Sequence, residues 1–248
     1  MRWPELLSTL IGVCALIAIA TAVLWTFRVP HRWAPALAVL RGMLQLAAIS
    51  VVLAGVISSG FWVGLALVVM FLVATLTASH RLGWSLPRTA TVTGAMALGI
   101  VVTLTVVFST GAIAFTPRYV LAIGGIVIGN TMTIATLAGR HFNGSVGDHW
   151  DEVEGWLALG ATPRQSTLEL ARRAVYSALI PSTDQTKTTG LVTLPGAFVG
   201  AIFGGVSPLE AGRFQIVVLA AIMSAGAITA VAIIGALAPV RVKPAPLR

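Results

Sequence analysis

Apolar residues run along this chain in long blocks broken by short polar stretches. Read with a window of about 20 residues, the helix length that crosses a hydrocarbon core about 30 Å thick, seven blocks stand out: 5–27, 36–57, 60–79, 91–110, 118–139, 189–206 and 213–238. The sixth is the shortest and most broken. Most links between blocks are short, as in antiparallel helical hairpins. The pattern predicts an all-α, polytopic integral membrane protein of about seven transmembrane helices in one bundle, a single domain spanning 1–248.

One link is long. Residues 140–188 hold six of the eight acidic residues, Asp148, Asp151, Glu152, Glu154, Glu169 and Asp184. They open on RHFNGSVGDHW, whose glycines and Asn143 read as an irregular turn. Two helices hinged at Gly160 follow. Thr162 then Pro163 supplies an N-cap and a proline at the first helical position, and Gln165 stands where a capping box needs it. Beyond it Leu168, Ala171, Val175 and Leu179 recur at spacings of 3 and 4 opposite Arg164, Glu169, Arg172 and Arg173. That periodicity predicts an amphipathic helix lying at the membrane surface.

Composition agrees with a lipid solvent: 57% of residues are apolar, 10% are charged and mean hydropathy is +0.93, against roughly a quarter charged in soluble chains. Basic residues flanking spans are retained in the cytoplasm. Of the 16 Lys and Arg, all except Arg2, Arg118 and Arg213 fall on one side of the predicted topology. The N-terminus is therefore expected outside and the C-terminus in the cytoplasm, in a plasma (inner) membrane. The net charge of +8 is spread over short cytoplasmic segments instead of one face, which sets nucleic acid aside as a partner. The first block is longer than the roughly 7–15 residues of a signal h-region and carries Glu5 near its start, so it is expected to stay. The single cysteine, Cys14, lies mid-block and reads as a small buried apolar residue.

No catalytic residue emerges. Lys187-Thr188 resembles the end of a phosphate-binding loop, but residues 181–186 contain no glycine, so the chain has no nucleotide loop there. HExxH and GxSxG are absent, and no acid, base and nucleophile gather at a predicted boundary. His141 and His149 with Asp148, Asp151 and Glu152 could gather a cation, yet no fixed spacing supports it, and no metal site or cofactor is assigned to this chain.

Polar residues within the blocks matter more, because burying an unpaired one in hydrocarbon is costly. IGNTMTIAT puts Asn130, Thr131, Met132 and Thr133 at membrane depth, where Asn130 and Thr133 share a face. They either fasten the bundle by an interhelical hydrogen bond or line a substrate path. Gly125 and Gly129, and again Gly196, Gly200 and Gly204, stand four apart, a stripe that lets helices approach. In PSTDQTKTTGLVTLPG, residues 181–196, Asp184 and Lys187 form a junction at the cytoplasmic surface before the sixth block. Pro195 is expected to kink that block one turn inside the membrane, with Thr188, Thr189 and Thr193 offering hydroxyls along a path.

EGWLALGA, with Glu154 and Gly160 six apart, resembles the EAA motif by which ABC-transporter permeases dock a cytoplasmic ATPase. Together with GNTMTIAT, EVEGWLALGAT and DQTKTTGLVTLPG in order, the chain from about 118 to 220 is similar to the iron-export ABC permease family of the FetB type, whose plant relatives are linked to aluminium tolerance. The resemblance implies a homodimeric permease that exports iron or another metal ion, driven by two copies of a separate ATP-binding subunit that holds the ATP and Mg. It assigns ATPase coupling to Glu152, Glu154, Gly160, Ala161, Thr162 and Arg164. The match departs at Val153, which breaks the glutamate run, and at Ala197, Phe198 and Val199, where related permeases have methionines and a threonine. The alternative, a gradient-driven secondary carrier, usually shows inverted repeats and a membrane-buried acid. Here every acidic residue falls outside the predicted blocks or at their ends.

Overall fold

A computed structural model describes residues 3–56 and 59–245 of the chain. It divides into two compact units, Met1–Ser58 and Ser59–Arg248. The first is a hairpin of α1 (Trp3–Thr26) and α2 (Ala34–Val56). The connecting turn is tight: Arg28 and His31 take positive φ of 53° and 57°, and the Arg32 guanidinium sits 5.1 Å from the Trp25 ring centroid. Leu7, Ile11, Leu16, Ile19, Leu37 and Leu44 point outward, as helices dissolved in lipid allow. Cys14 is exposed too, which corrects the buried reading.

The second unit holds α3 (Gly60–Arg81), α4 (Leu86–Ser109), α5 (Pro117–Asp148), α6 (Trp150–Ala158), α7 (Pro163–Ser166), α8 (Leu168–Thr188), α9 (Gly196–Phe203) and α10 (Pro208–Leu237). Three of the long helices start by one device. Ser85, Thr116 and Ser207 accept backbone N–H bonds from Arg88, Tyr119 and Glu210, with a proline in the first two helical positions, where its missing donor costs nothing. Among the described residues five helices are long and apolar enough to cross a membrane, namely Leu7–Thr26, Gly60–Arg81, Leu86–Ser109, Pro117–Asp148 and Pro208–Leu237, and Ala34–Ser50 is a shorter apolar helix. The end of the second predicted block, at 57, lies outside the described residues.

Small residues hold this unit together. Where α4 crosses α10, a Cβ on Gly99 would stand 2.6 Å from the Ala225 carbonyl oxygen, and the Thr103 and Ser224 hydroxyls bond at 3.2 Å. Gly124 receives Leu67, Gly139 receives Leu82, and Gly226 receives Ile134 and Leu179. In a bilayer such close backbone approach supplies the packing that water-driven burial cannot.

Three predicted features differ. First, α5 does not turn at RHFNGSVGD but continues helically to Asp148, 32 residues in all, or about 48 Å. Phe142 and Val146 extend the buried stripe of Ile134, Ala135 and Ala138, and that stripe outweighs two glycines and an asparagine. Second, the sixth block is no span. Residues 189–195 are irregular, with Gly190 at φ 90°, and α9 has only eight residues, about 12 Å. Pro195 stands before α9 as its N-cap, with φ −61° and ψ 142°, so it kinks nothing; the proline inside a helix is Pro181 in α8. Third, α8 does not lie on a surface. It packs lengthwise against α5 and α10, burying Leu170, Ala171, Ala174 and Ala178.

Candidate functional site

One candidate region lies at the end of the bundle where α10 finishes. There α5 projects past its neighbours and α6 folds back on it, held by Val153, which is fully buried in the same core cluster as Val146. α6 then stops in a Schellman motif: the Gly160 N–H donates to the Leu157 carbonyl and the Ala161 N–H to the Trp156 carbonyl, both at 3.0 Å. Gly160 takes the left-handed φ of 91° that this cap requires. Two residues on, Thr162 and Gln165 close a capping box that starts α7, with the Thr162 N–H donating to Gln165 Oε1 at 2.8 Å. A stop and a start signal in three residues make a defined elbow instead of a loose hinge.

Thr167, fully buried, fastens that elbow to the bundle. Its hydroxyl donates to the Ala238 carbonyl at 2.6 Å, and the Arg164 guanidinium lies along Gly235 of α10. Thr167→Val keeps the shape but removes this tie, leaving the Ala238 carbonyl with the Val240 N–H alone. It is expected to cost about 0.5–1.5 kcal/mol and to open residues 161–167 to limited proteolysis, while Thr167→Ser stays resistant.

Of the residues assigned to coupling by resemblance, Glu152, Glu154, Thr162 and Arg164 are exposed and Ala161 is half-buried. Trp156 and Leu159 are also exposed, 51% and 82%, on the same α6 face as Glu152. Sequence reasoning passed over this apolar pair, although its spacing from Glu152 was legible. Asp148, Asp151, Glu152, His141 and His149 do not group: among the described residues no three or more His, Cys, Asp or Glu are placed to hold a metal.

The other predicted residues lie along α5 and α8. Asn130 is half-buried and its amide donates to the Ile126 carbonyl of its own helix at 2.9 Å. Thr133 is exposed. Thr131 is fully buried and faces the core, and Met132 packs against that core from its edge. Asp184 and Lys187 pair at 3.6 Å, both well exposed. They sit in the far half of α8 and not at the foot of a membrane block. Thr188 and Thr189 bond back to the Asp184 and Gln185 carbonyls, while Thr193 is exposed in the irregular segment. Gly125 lies 3.1 Å, measured from an added Cβ, from Met70, and nothing approaches Gly129, Gly196 or Gly200. At Gly204 only the carbonyls of its own helix end are near. The glycines at close helix crossings are Gly99, Gly124, Gly139 and Gly226, which lack the four-residue spacing that marks a stripe.

The family described as uncharacterised protein family UPF0014 matches residues 7–239. The chain is 37% identical over 235 residues to UPF0014 membrane protein STAR2 of Oryza sativa subsp. japonica, covering 92% of this chain and 82% of the relative. It is 38% identical over 194 residues to Protein ALUMINUM SENSITIVE 3 of Arabidopsis thaliana, covering 77% and 71%. Over 137 residues, 55% of this chain and 53% of the relative, it is 36% identical to the Probable iron export permease protein FetB of Escherichia coli strain K12. No solved structure matches the chain. With its helices long and apolar enough to span a bilayer and a family match over nearly its whole length, the chain is a polytopic membrane protein and belongs to the UPF0014 family.

Proposed function

We propose that the chain is the permease subunit of an ABC transporter that exports iron or another metal ion. On this reading two copies work with two copies of a separate cytoplasmic ATP-binding subunit, which binds ATP and Mg. The N-terminus lies outside a plasma (inner) membrane, and the end bearing the elbow faces the cytoplasm.

The observation that supports this best is the elbow itself. Glu152, Glu154, Trp156 and Leu159 offer acidic and apolar contacts outside the bundle, on an element bolted through Thr167 and Arg164 to α8 and α10. A partner that pushes on α6 would move those helices, because the stop at Gly160 and the start at Thr162 leave little slack. The similarity to an iron export permease supports the cargo class.

A second reading, the gradient-driven carrier, gains from one observation. α8 packs beside α10, and Asp184, exposed on α8, stands level with the middle of α10, where an ion-coupling acid would serve a carrier.

Co-purification separates the two. An ATP-binding subunit co-expressed with this chain is expected to elute with it in equal amounts, and Glu154→Lys combined with Gly160→Trp is expected to release it. ATPase binding that survives both substitutions makes the coupling assignment wrong. Unchanged cellular iron on deletion of the gene sinks the iron reading.

A further inference from the structure

α8 carries a charged pair level with the middle of α10, a helix long and apolar enough to span a bilayer. The register of α8 against α10 fixes that level: Thr167 meets Ala238, and twelve residues further along each chain Leu179 meets Gly226. Continued at the same rise, Asp184 stands level with Ala221 and Lys187 with Val218, in the middle of α10. Ile134 of α5 meets the same Gly226, which brings Asn130 to within one residue of Asp184's level and Thr133 just below. One turn under Asp184, Pro181 cannot donate to the Ser177 carbonyl.

These side chains open outward. Asp184 and Lys187 are 63% and 71% exposed, Thr133 is exposed and Asn130 half-exposed. The outward residues of α4 at comparable depth are Leu98, Val101 and Val106, as a lipid-facing surface requires. So at this level the unit has two kinds of outer face, one of leucine and valine and one that is polar, with Ile180 and Tyr176 exposed on α8 beneath it. Charged residues within a membrane face another protein or a water-filled cavity instead of acyl chains, and irregular backbone such as 189–195 is tolerated at depth only in the same surroundings.

We propose that the α5–α8 strip faces the same strip of a second copy across a two-fold axis and encloses a water-filled polar site at mid-membrane. Asn130, Thr133, Asp184 and Lys187 of both copies line it. The proposal rests on the homodimeric reading above and says which surface makes the dimer. The strip is self-complementary: opposite charges stand one turn apart, so Asp184 of one copy comes within a turn of Lys187 of the other, and the reverse contact repeats it. Carboxylate, amide and hydroxyl oxygens dominate the lining, the donor chemistry of hard or hydrated cations, while Met132, the nearby thioether, packs against the core.

The test uses the full-length chain with Cys14→Ser and single cysteines at Thr133, Asp184 or Lys187, with Val101→Cys as the lipid-facing control. In membrane vesicles a charged, membrane-impermeant methanethiosulfonate is expected to label the three strip positions at least about tenfold faster than Val101, because thiolate forms in water and not in hydrocarbon. Copper-phenanthroline oxidation is expected to cross-link Lys187→Cys into a species of twice the mass. Labelling no faster than at Val101, or a cross-link that never leaves the single-chain mass, overturns the proposal. Thr133→Cys is nearly isosteric and guards against misfolding at the charged positions. Scoring the ATP-binding subunit in the same preparations keeps the two readings apart: its loss with labelling and cross-linking intact fails the coupling assignment and supports the shared polar site.

Discussion

Gly160→Val is expected to lower ATP-driven transport at least about tenfold while the melting of the helix bundle hardly changes. Gly160 has open space around its Cβ direction and a φ of 91°. A substitution there meets no neighbour and acts through the backbone alone. Holding a residue with a side chain in the left-handed region costs roughly 1–3 kcal/mol, and a β-branched one sits at the high end. About 1.4 kcal/mol is a tenfold shift in population, so much of the chain would leave the elbow geometry that joins α6 to α7. Asparagine tolerates this region best, so the order of activity should run Gly, Asn, Ala, Val. Transport assays on the series, with thermal melts as control, check both parts. An order that follows side-chain bulk alone would point to a clash at a partner surface and not to backbone strain.

The second large effect is expected at the crossing of α4 and α10. Gly99→Ala places a methyl group 2.6 Å from the Ala225 carbonyl oxygen, which belongs to backbone and cannot rotate away. The helices must separate, loosening the Thr103–Ser224 hydroxyl bond and the longer one from Thr229 to the Ala95 carbonyl. Overpacking of this kind typically costs about 1–3 kcal/mol, and the melting temperature in detergent is expected to fall by roughly 5–10 °C. Gly94→Ala on the same helix meets nothing within 4 Å and is expected to hold or slightly raise stability, since alanine is the better helix former.

What the sequence disclosed follows from how each feature is encoded. Long apolar blocks announce themselves by length, which is why, among the described residues, five of the seven reappear as helices able to span a bilayer. The elbow was legible because its signals are local: a glycine, then threonine, proline and glutamine at fixed spacing. The sixth block misled because hydropathy averages over a window, whereas its residues divide between an irregular segment and the eight-residue α9, after an α8 that is polar on one face. Its readable sign was the buried series Leu170, Ala171, Ala174 and Ala178, small residues at helical spacing, which mark a helix packed against helices instead of one lying on headgroups. α5 overran its predicted end for a related reason. Asn143, Gly144 and Gly147 signal a turn by propensity, but Phe142 and Val146 bury apolar surface there, and tertiary burial outweighs propensity. Asp184 and Lys187 were assigned to a junction at the cytoplasmic surface only because the block after them was taken as the span. In the structure the pair lies in α8, level with the middle of α10.

The proposed mid-membrane place of Asp184 makes the energy source the sharpest question, since a carboxylate there would suit a carrier as well as a pump. The direct measurement is uptake of radioactive iron into inside-out membrane vesicles containing this chain, with and without its ATP-binding subunit. The permease account predicts uptake that needs ATP and both subunits, persists when proton and sodium gradients are collapsed, and is lost with Gly160→Val. Uptake by this chain alone, driven by an imposed ion gradient and indifferent to ATP, would contradict it.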